Sequence, residues 1–469
     1  MAQFDLLVIG SGPGGYIAAI RGAQLGLSTA LVEKDPALGG TCLHRGCIPA
    51  KTWLETAHRF EQMQVADDYG IDGVDGRALK ANLTTIVKRK GRIVTKNAKG
   101  IEFLMKKNKV TVLKGFGKLL GAGRVDVAGE VFEAKRIILA TGSAPKPIPG
   151  LETDGVRVLN SDHILDLTEL PSHLVILGAG AIGVEFASAW KELGAEISLV
   201  EVLPRIVPLE DPEVGDELAK LFTRRGIRVM AGTKVILDSV RTFPDHVELE
   251  VEKEGARERL SAERLLVATG RAPVSDGLGL EGLGVKIERG FIQVDGQMKT
   301  GVSHLYAIGD VVGGLMLAHK ATHEGFIAVE AILGRNPHPL DPNRIPRCTY
   351  CRPQVASLGL SEAEAQQQGR KVKVGRFPMS ANSMATILGE RDGFGKIVSD
   401  EESMEILGVH LMGPRVTELI QGPALAKLLE ATPEELALNV HPHPTVSEVL
   451  GEMADDVVFG QSLHFWRQR

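Results

Sequence analysis

A strand, a glycine triplet, a helix and a second strand ending in an acid occur twice in this chain, and its last quarter changes to two-residue apolar alternation. Together these predict an α/β protein: two Rossmann-like dinucleotide-binding domains and a C-terminal α+β domain. In the first unit, residues 6–9 are a short apolar run suited to a buried parallel strand. Gly10, Gly12 and Gly15 follow in G-x-G-x-x-G spacing, then a predicted helix over 16–25 and a strand over 28–32 closed by Glu33. Such glycines permit a tight turn and let a pyrophosphate approach a helix N-terminus, where free N–H groups and the dipole favour anions. An acid at this distance can accept from a ribose hydroxyl. The second unit repeats the order: a strand at 174–177, Gly178, Gly180 and Gly183, a strand at 196–200, then Glu201. Glu201 stands as far beyond Gly178 as Glu33 does beyond Gly10. Each unit is followed by an apolar strand ending Ala-Thr-Gly, at Thr141-Gly142 and Thr269-Gly270. A glycine triplet alone is weak evidence; strand, helix and acid in register around it, twice, leave little room for a chance loop. Two such sites imply two cofactors, or one electron relay between them.

The remaining segments fit around these units. Residues 54–109 read as long helices, and the lysines and arginines of 88–107 as a solvated face rather than a nucleic-acid patch. Three prolines within 145–149 mark a connection between domains. A strand at 305–308 ends in Gly309-Asp310, setting a carboxylate at a sheet edge beside a helix that begins near 317. Alternation in 355–358, 372–377 and 406–411 predicts an antiparallel sheet, with helices over 362–368 and 417–430 to cover it. No glycine fingerprint lies there, so this domain is assigned to assembly and the rim of the active site. The expected boundaries are 1–145 with 271–343, then 146–270, then 344–469.

A length of 469 residues accommodates three domains of about 150 each. A net charge of −5 offers no whole-protein field for nucleic acid or an anionic membrane. Four cysteines are not a secreted disulfide framework. The first apolar run lacks a basic leader and reads as a strand, not a signal peptide, and no apolar run has membrane-spanning length. The expectation is a cytoplasmic protein without nucleic-acid or membrane partners.

Cys42 and Cys47 are the chemically suggestive pair. Five residues of ideal helix rise about 7.5 Å, whereas a disulfide holds its Cα atoms within about 7 Å. A bridge therefore needs a bent turn, which Gly46 permits and Pro49 limits. Spacing alone leaves two readings: a redox pair, or two buried cysteines at a helix start. Near the other end, His441 and His443 would face the same way in an extended segment, and spacing does not choose between them. Glu448 could hold an imidazole, or close a Thr-x-x-Glu capping box with Thr445. Cys348 and Cys351 form an isolated C-x-x-C; zinc would need two more ligands. They are read as structural cysteines in a strand, and no metal site is expected.

Residues Gly39-Gly40-Thr41-Cys42, Gly46-Cys47-Ile48-Pro49 and Lys51 resemble the redox-disulfide signature of the pyridine nucleotide–disulfide oxidoreductases, and the resemblance runs to residues 441–448. Within that family the chain is most similar to the branch that oxidises dihydrolipoamide. The resemblance implies FAD on the first unit: Gly10, Gly12, Gly15 and Glu33 around its ADP half, and Gly115 near the adenine. Thr141, Gly142 and Ser143 would pass the cofactor, with Asp310 and Ala318 at the ribityl and flavin end. Lys51 would stand by the flavin, paired with Glu185. It also implies NAD on the second unit, at Gly178, Gly180, Gly183, Glu201, Val235 and Gly270. There Glu201 would repel the extra phosphate of NADP. Cys42 would exchange with substrate and Cys47 lie nearer the flavin, with His443 as base and Glu448 holding it. A homodimer is implied, with the lipoyl and subunit-binding domains of an acyltransferase (E2) as partners. Among relatives, glutathione reductase is disfavoured by Glu201 and mercuric reductase by the lack of a vicinal cysteine pair at the C-terminus. A non-catalytic flavin protein is disfavoured by Cys42, Cys47, Lys51 and His443 together. Departures from the family pattern are His44 for asparagine, Ala50 for serine, and Thr322-His323 where acids are common. Cys348, Cys351 and Gln354 depart as well. They fall outside the electron path and bear on the substrate or partner complex.

Overall fold

The computed structural model describes residues 3–121 and 123–466. The chain forms two compact units: Met1–Thr52, Thr84–Pro147 and Gly270–Leu340 in one, and Trp53–Leu83, Ile148–Thr269 and Asp341–Arg469 in the other.

In the first, parallel strands run in the order Thr111–Lys114, Thr29–Glu33, Gln3–Ile9 and Glu130–Leu139. Leu305–Ala307 adds alongside the last of these, and Arg124–Val127 and Gly117–Gly121 extend it as an antiparallel meander. Leu6, Leu7 and Val8 are fully buried, as expected of a parallel strand covered on both faces. Ile9 pairs with both Val32 and Leu139, so the strands end level and their following loops share one edge. The helices Pro13–Gln24 and Ala318–Ile332 pack closely through glycine: a Cβ on Gly14 would lie 2.9 Å from the Ala321 carbonyl oxygen.

The second unit repeats the parallel order with Ile227–Ala231, Glu196–Glu201, His173–Leu177 and Arg264–Val267, then adds Val158–Asn160. A three-stranded antiparallel sheet of Lys234–Thr242, Val247–Lys253 and Ala256–Ala262 was not expected from sequence. Its C-terminal part is a five-stranded antiparallel sheet: Arg347–Thr349, Gln354–Gly359, Ile406–Gly413, Phe394–Asp400, Val372–Pro378. The helix Glu448–Phe459 lies on it, and Gly375 makes room: a Cβ there would meet the Met453 carbonyl oxygen at 2.0 Å. The helix expected over 417–430 is instead Val416–Leu419 and Gln421–Leu428. Pro423 lacks the N–H that would bond the Leu419 carbonyl, which interrupts the ladder there.

One buried cation anchors this unit. The Lys396 amine, 1% exposed, lies 3.0 Å from Asp211, 2.8 Å from Glu213 and 2.9 Å from Glu362. Asp211 also caps the helix Pro212–Arg224 by accepting from Glu213 N–H at 3.0 Å. Among the described residues, no helix is long and apolar enough to cross a membrane.

Candidate active site

The two glycine triplets adopt one geometry. A Cβ on Gly10 would lie 2.3 Å from the Ala140 carbonyl oxygen, and one on Gly178 would lie 2.6 Å from that of Ala268. Cβ atoms on Gly15 and Gly183 would each come 1.9 Å from the carbonyl oxygen of the first glycine of their triplet. These four positions exclude any larger residue by contact with protein. Gly12 and Gly180 differ, because a Cβ there would meet nothing within 4 Å. The middle glycine of each triplet thus faces open space at a helix N-terminus, as a bound pyrophosphate requires.

The acids are held alike. Glu33 accepts from Ser11 N–H at 3.0 Å, Ser11 Oγ at 2.5 Å and Asp35 N–H at 2.7 Å. Glu201 accepts from Ala179 N–H at 2.7 Å and Leu203 N–H at 2.9 Å. Gly115 N–H donates to the Glu33 carbonyl at 2.9 Å, and its φ of +141° requires glycine. Val235 packs against the core of the second unit. Gly142 and Gly270 both have positive φ, with open space where a Cβ would stand.

At the cysteines, Cys42 lies on the short helix Gly40–Arg45 and Cys47 opens the helix Cys47–Gln64. Gly46 separates them, and a Cβ there would sit 3.1 Å from the Thr41 carbonyl oxygen and 3.3 Å from Cys42 Cα. The bend brings the pair together as two hydrogen-bonded thiols. Cys47, then burial, raise the Cys42 thiol well above its ordinary value, while the charge of Lys51 opposes them. The segment is tied to the first glycine loop by Gly39 N–H, which donates to Ser11 Oγ at 3.0 Å.

Asp310 accepts from Ser143 Oγ at 2.5 Å, and Ser143 Oγ accepts from Arg271 Nε at 2.7 Å. Arg271, which the sequence reading missed, also donates to the Ser143 carbonyl at 2.7 Å. It opens a strand, Arg271–Pro273, antiparallel to Ser143–Pro145. Behind Asp310, Gly309 N–H donates to Glu324 at 2.7 Å, and Glu324 pairs with Lys320 at 2.6 Å. Ala318 begins the helix that carries both. Glu185, buried in the helix Ala181–Glu192, accepts from Tyr350 N–H at 2.9 Å.

His441 and His443 part company. His441 packs on Gly451, where a Cβ would meet its Cδ2 at 2.9 Å, and its Nε2 lies 3.3 Å from the Leu436 carbonyl oxygen. His443 is exposed and its Nδ1 lies 2.8 Å from Glu448 Oε1. Glu448 Oε2 accepts from Thr445 N–H at 2.9 Å. One carboxylate therefore holds the imidazole and the loop before it, whereas the Thr-x-x-Glu capping box does not form: the helix starts at Glu448, with Ser447 as N-cap and no side-chain cap hydrogen bond, and Thr445 Oγ1 donates to the Pro442 carbonyl instead. Burial alone would raise Glu448, but the Thr445 N–H and His443 hold it below the usual carboxylate range. An anionic Glu448 accepts a hydrogen bond from Nδ1–H, which keeps the proton on that nitrogen and leaves Nε2 as the basic one. Asn382, also unforeseen, donates to the Thr445 carbonyl at 3.0 Å and braces this loop.

Residues 4–325 match the pyridine nucleotide-disulphide oxidoreductase family, and residues 345–454 match its dimerisation domain. The chain belongs to this family. It is 44% identical to the dihydrolipoyl dehydrogenase of Bacillus subtilis and 45% identical to that of Zymomonas mobilis, with 99% of both chains covered in each case. Its structure is similar to that of LpdA from Mycobacterium tuberculosis, with a TM-score of 0.89, 26% identity, and coverage of 98% of this chain and 100% of that one. The protein is an FAD-dependent, nicotinamide-linked disulfide oxidoreductase. The open middle glycine and buried acid of each unit fit the ADP portions of two such dinucleotides.

Of the residues unusual within this family's pattern, His44 shares the short helix of Cys42 and Ala50 the helix that Cys47 opens. His44 Nε2 is 2.8 Å from the Leu38 carbonyl oxygen, and His323 stacks edge-on against Phe326 at the surface. Gln354 accepts from Thr417 Oγ1 at 2.9 Å. Cys348 stands in a strand, but Cys351 falls in the bend after it, since the strand ends at Thr349. Burial, then the nearby Glu185 carboxylate, raise the Cys351 thiol far above its ordinary value, the setting of a structural rather than a reactive cysteine. Among the described residues, no cluster of His, Cys, Asp or Glu could hold a metal ion.

Proposed function

We propose that this protein is a dihydrolipoyl dehydrogenase that oxidises dihydrolipoyl groups through Cys42 and Cys47 and delivers the electrons to NAD+. One observation carries the reading: a paired dithiol stands beside the first glycine cradle in a chain that matches dihydrolipoyl dehydrogenases end to end. FAD belongs on the cradle of Gly10, Gly12, Gly15 and Glu33, with Asp310 and Lys51 toward its reactive end. NAD belongs on that of Gly178, Gly180, Gly183 and Glu201. Glu201 places a buried carboxylate at the end of its strand, which disfavours the added phosphate of NADP. The flavin, when bound, supplies a two-electron acceptor for the dithiol and a hydride donor to NAD+. We assign residues 1–145 and 271–343 to the flavin domain, 146–270 to the NAD domain and 344–469 to assembly.

The chain's own residues perform thiol–disulfide exchange. With Cys42 and Cys47 oxidised, His443 Nε2 removes a proton from one dihydrolipoyl thiol. The thiolate attacks Cys42 Sγ, and the Cys42–Cys47 bond breaks as a mixed disulfide forms. The second lipoyl thiol then attacks the lipoyl sulfur of the mixed disulfide, its proton passing to the departing Cys42 thiolate, and leaves lipoyl disulfide with Cys42 and Cys47 as a dithiol. Glu448 steadies the imidazolium formed in the first step. In a homodimer His443 serves the thiols of the partner subunit. The natural substrate is the lipoyl arm of an acyltransferase in the cytoplasm, recognised with that protein's subunit-binding domain.

The test is NADH formation from dihydrolipoamide by the FAD-loaded protein, with NADP+ and glutathione disulfide as controls. NAD+ should far outperform NADP+, and the absence of NADH formation would refute the reading. His443→Ala should cost about 10² to 10⁴ in rate while FAD is retained. A heterodimer of one His443→Ala and one Cys42→Ser chain should keep one working site. An inactive heterodimer would mean that each site draws both residues from one chain.

A further inference from the structure

The last described residues fold back on the helix that carries Glu448. Glu452, one turn beyond Glu448 and so on the same helix face, gathers them: Oε2 accepts from Leu463 N–H at 2.9 Å and His464 N–H at 3.2 Å. Its Oε1 lies 2.5 Å from His464 Nδ1. This ring, 73% exposed, is thereby fixed by a carboxylate that is itself 10% exposed. Nothing in the exchange chemistry uses it.

We propose that His464 is a positioning residue for the His443–Glu448 pair, an imidazole strapped beside Glu448 whose charge sets how strongly Glu448 supports His443. The proposal rests on His443 being the base. Two imidazoles then share one carboxylate's field: His443 by direct contact at 2.8 Å, His464 from the neighbouring turn. A positive His464 competes with the His443 imidazolium for Glu448 and lowers its proton affinity. A neutral one leaves Glu448 to His443 alone. Glu452 hydrogen-bonds His464 and, with Glu448 adding, raises its pKa, so its charge persists further toward neutrality. Among the described residues, the other titrating groups on this face are Asp455, raised by burial and by Glu452, and His441, which draws Asp455 back.

The test is the acid limb of the kcat/KM profile for dihydrolipoamide, measured on FAD-loaded full-length dimers. His464→Gln keeps an N–H for Glu452 but carries no charge, and should move the limb to higher pH by about half a unit at low ionic strength. His464→Lys keeps a positive charge throughout and should move it back to or below the unmodified position. Salt of about 0.5 M should erase most of the difference. Superposable limbs for both variants, at equal FAD content, would overturn the proposal and assign His464 a purely structural role, while the loss caused by His443→Ala would still uphold the base. If His443→Ala loses nothing, the base assignment fails and this proposal falls with it. Should the His464 variants not fold, histidine-labelled NMR of the holoenzyme asks the reciprocal question. His443→Gln should raise the pKa of His464 because Glu448 is no longer shared, and an unmoved His464 would overturn the proposal.

Discussion

In the first glycine unit, Gly39 N–H donates to the Ser11 carbonyl at 3.1 Å; in the second, Val207 N–H donates to the Ala179 carbonyl at 2.7 Å. Gly39 and Val207 stand equally far beyond their triplets, and both turn with positive φ, +121° and +42°. Up to this residue the units share strand order, glycine contacts and the placing of the acid. Beyond it they separate. Gly39 leads into the bent helices that pair Cys42 with Cys47. Val207 leads to Asp211, which caps a helix and engages the buried Lys396 amine. One exit from one template is used for redox chemistry in the first unit and for attachment in the second. The cradle therefore does not dictate the chemistry; what the chain does after its last shared hydrogen bond does.

The largest effect that would break this contrast comes from Cys42→Ser. It should reduce dihydrolipoamide oxidation to the uncatalysed level with little change in Tm, since serine keeps a hydrogen-bonding group of similar size at this position. A large loss of Tm would mean that the first exit is structural too. Next come the glycines. Gly15→Ala should yield a colourless protein, because its Cβ would meet a carbonyl oxygen at 1.9 Å and displace the flavin cradle. Gly183→Ala meets the same contact, yet should stay yellow, reduce on adding dihydrolipoamide, and fail to form NADH. Loss of FAD from both variants would erase the distinction between the cradles.

At the second exit the effect is on stability. Lys396→Met strips the partner from Asp211, itself 1% exposed, and should cost about 3 to 5 kcal/mol in denaturant unfolding, as when one member of a buried pair is removed. Exchange chemistry in the folded protein should persist. The same cluster answers to pH. Burial alone would raise Glu213, but hydrogen bonds from Arg376 and Lys396 bring it from 4.5 down to about 2. A carboxylate depressed in the folded state adds stability above its unfolded pKa and loses it as pH falls through its folded one. Thermal stability should thus decline between about pH 4 and pH 2, less steeply in Glu213→Gln. An unchanged slope would remove Glu213 from the anchor.

What the sequence disclosed follows the same physics. Parallel strands buried on both faces leave continuous apolar runs, and backbone contact at 1.9 to 2.6 Å forces glycine at Gly10, Gly15, Gly178 and Gly183, so both units were legible. The strand Phe394–Asp400 was not, because Lys396 interrupts its apolar pattern and is buried only by virtue of three carboxylates brought from elsewhere. Arg271 was missed for a similar reason. Its bond to Ser143 spans 128 residues, and no local spacing encodes it. Glu448 shows the limit of short motifs: Thr-x-x-Glu spacing predicts a capping box, yet Thr445 stands before the N-cap and Glu448 turns one oxygen to Thr445 N–H and the other to His443.

The smallest effect tests the finest difference between the cradles. A carboxylate has about four acceptor sites. Glu33 fills three of them, because Ser11 adds its hydroxyl to the two backbone donors, whereas Glu201 fills two, because alanine stands at position 179. Glu201 therefore keeps more capacity for the hydroxyls of an incoming ribose, which suits a site that must take up and release its nucleotide each turnover. Ala179→Ser would copy the first cradle into the second. The new hydroxyl should satisfy Glu201 internally and compete with the ribose, raising KM for NAD+ about fivefold, the worth of roughly 1 kcal/mol for one hydrogen bond. Because the loss is in binding alone, kcat should stay unchanged. The reciprocal Ser11→Ala change should leave FAD bound, since Gly39 still donates to the Ser11 backbone carbonyl and the two backbone donors to Glu33 remain. A fall in kcat with KM unchanged for Ala179→Ser would mean that the free acceptor sites of Glu201 act on turnover rather than on nucleotide binding.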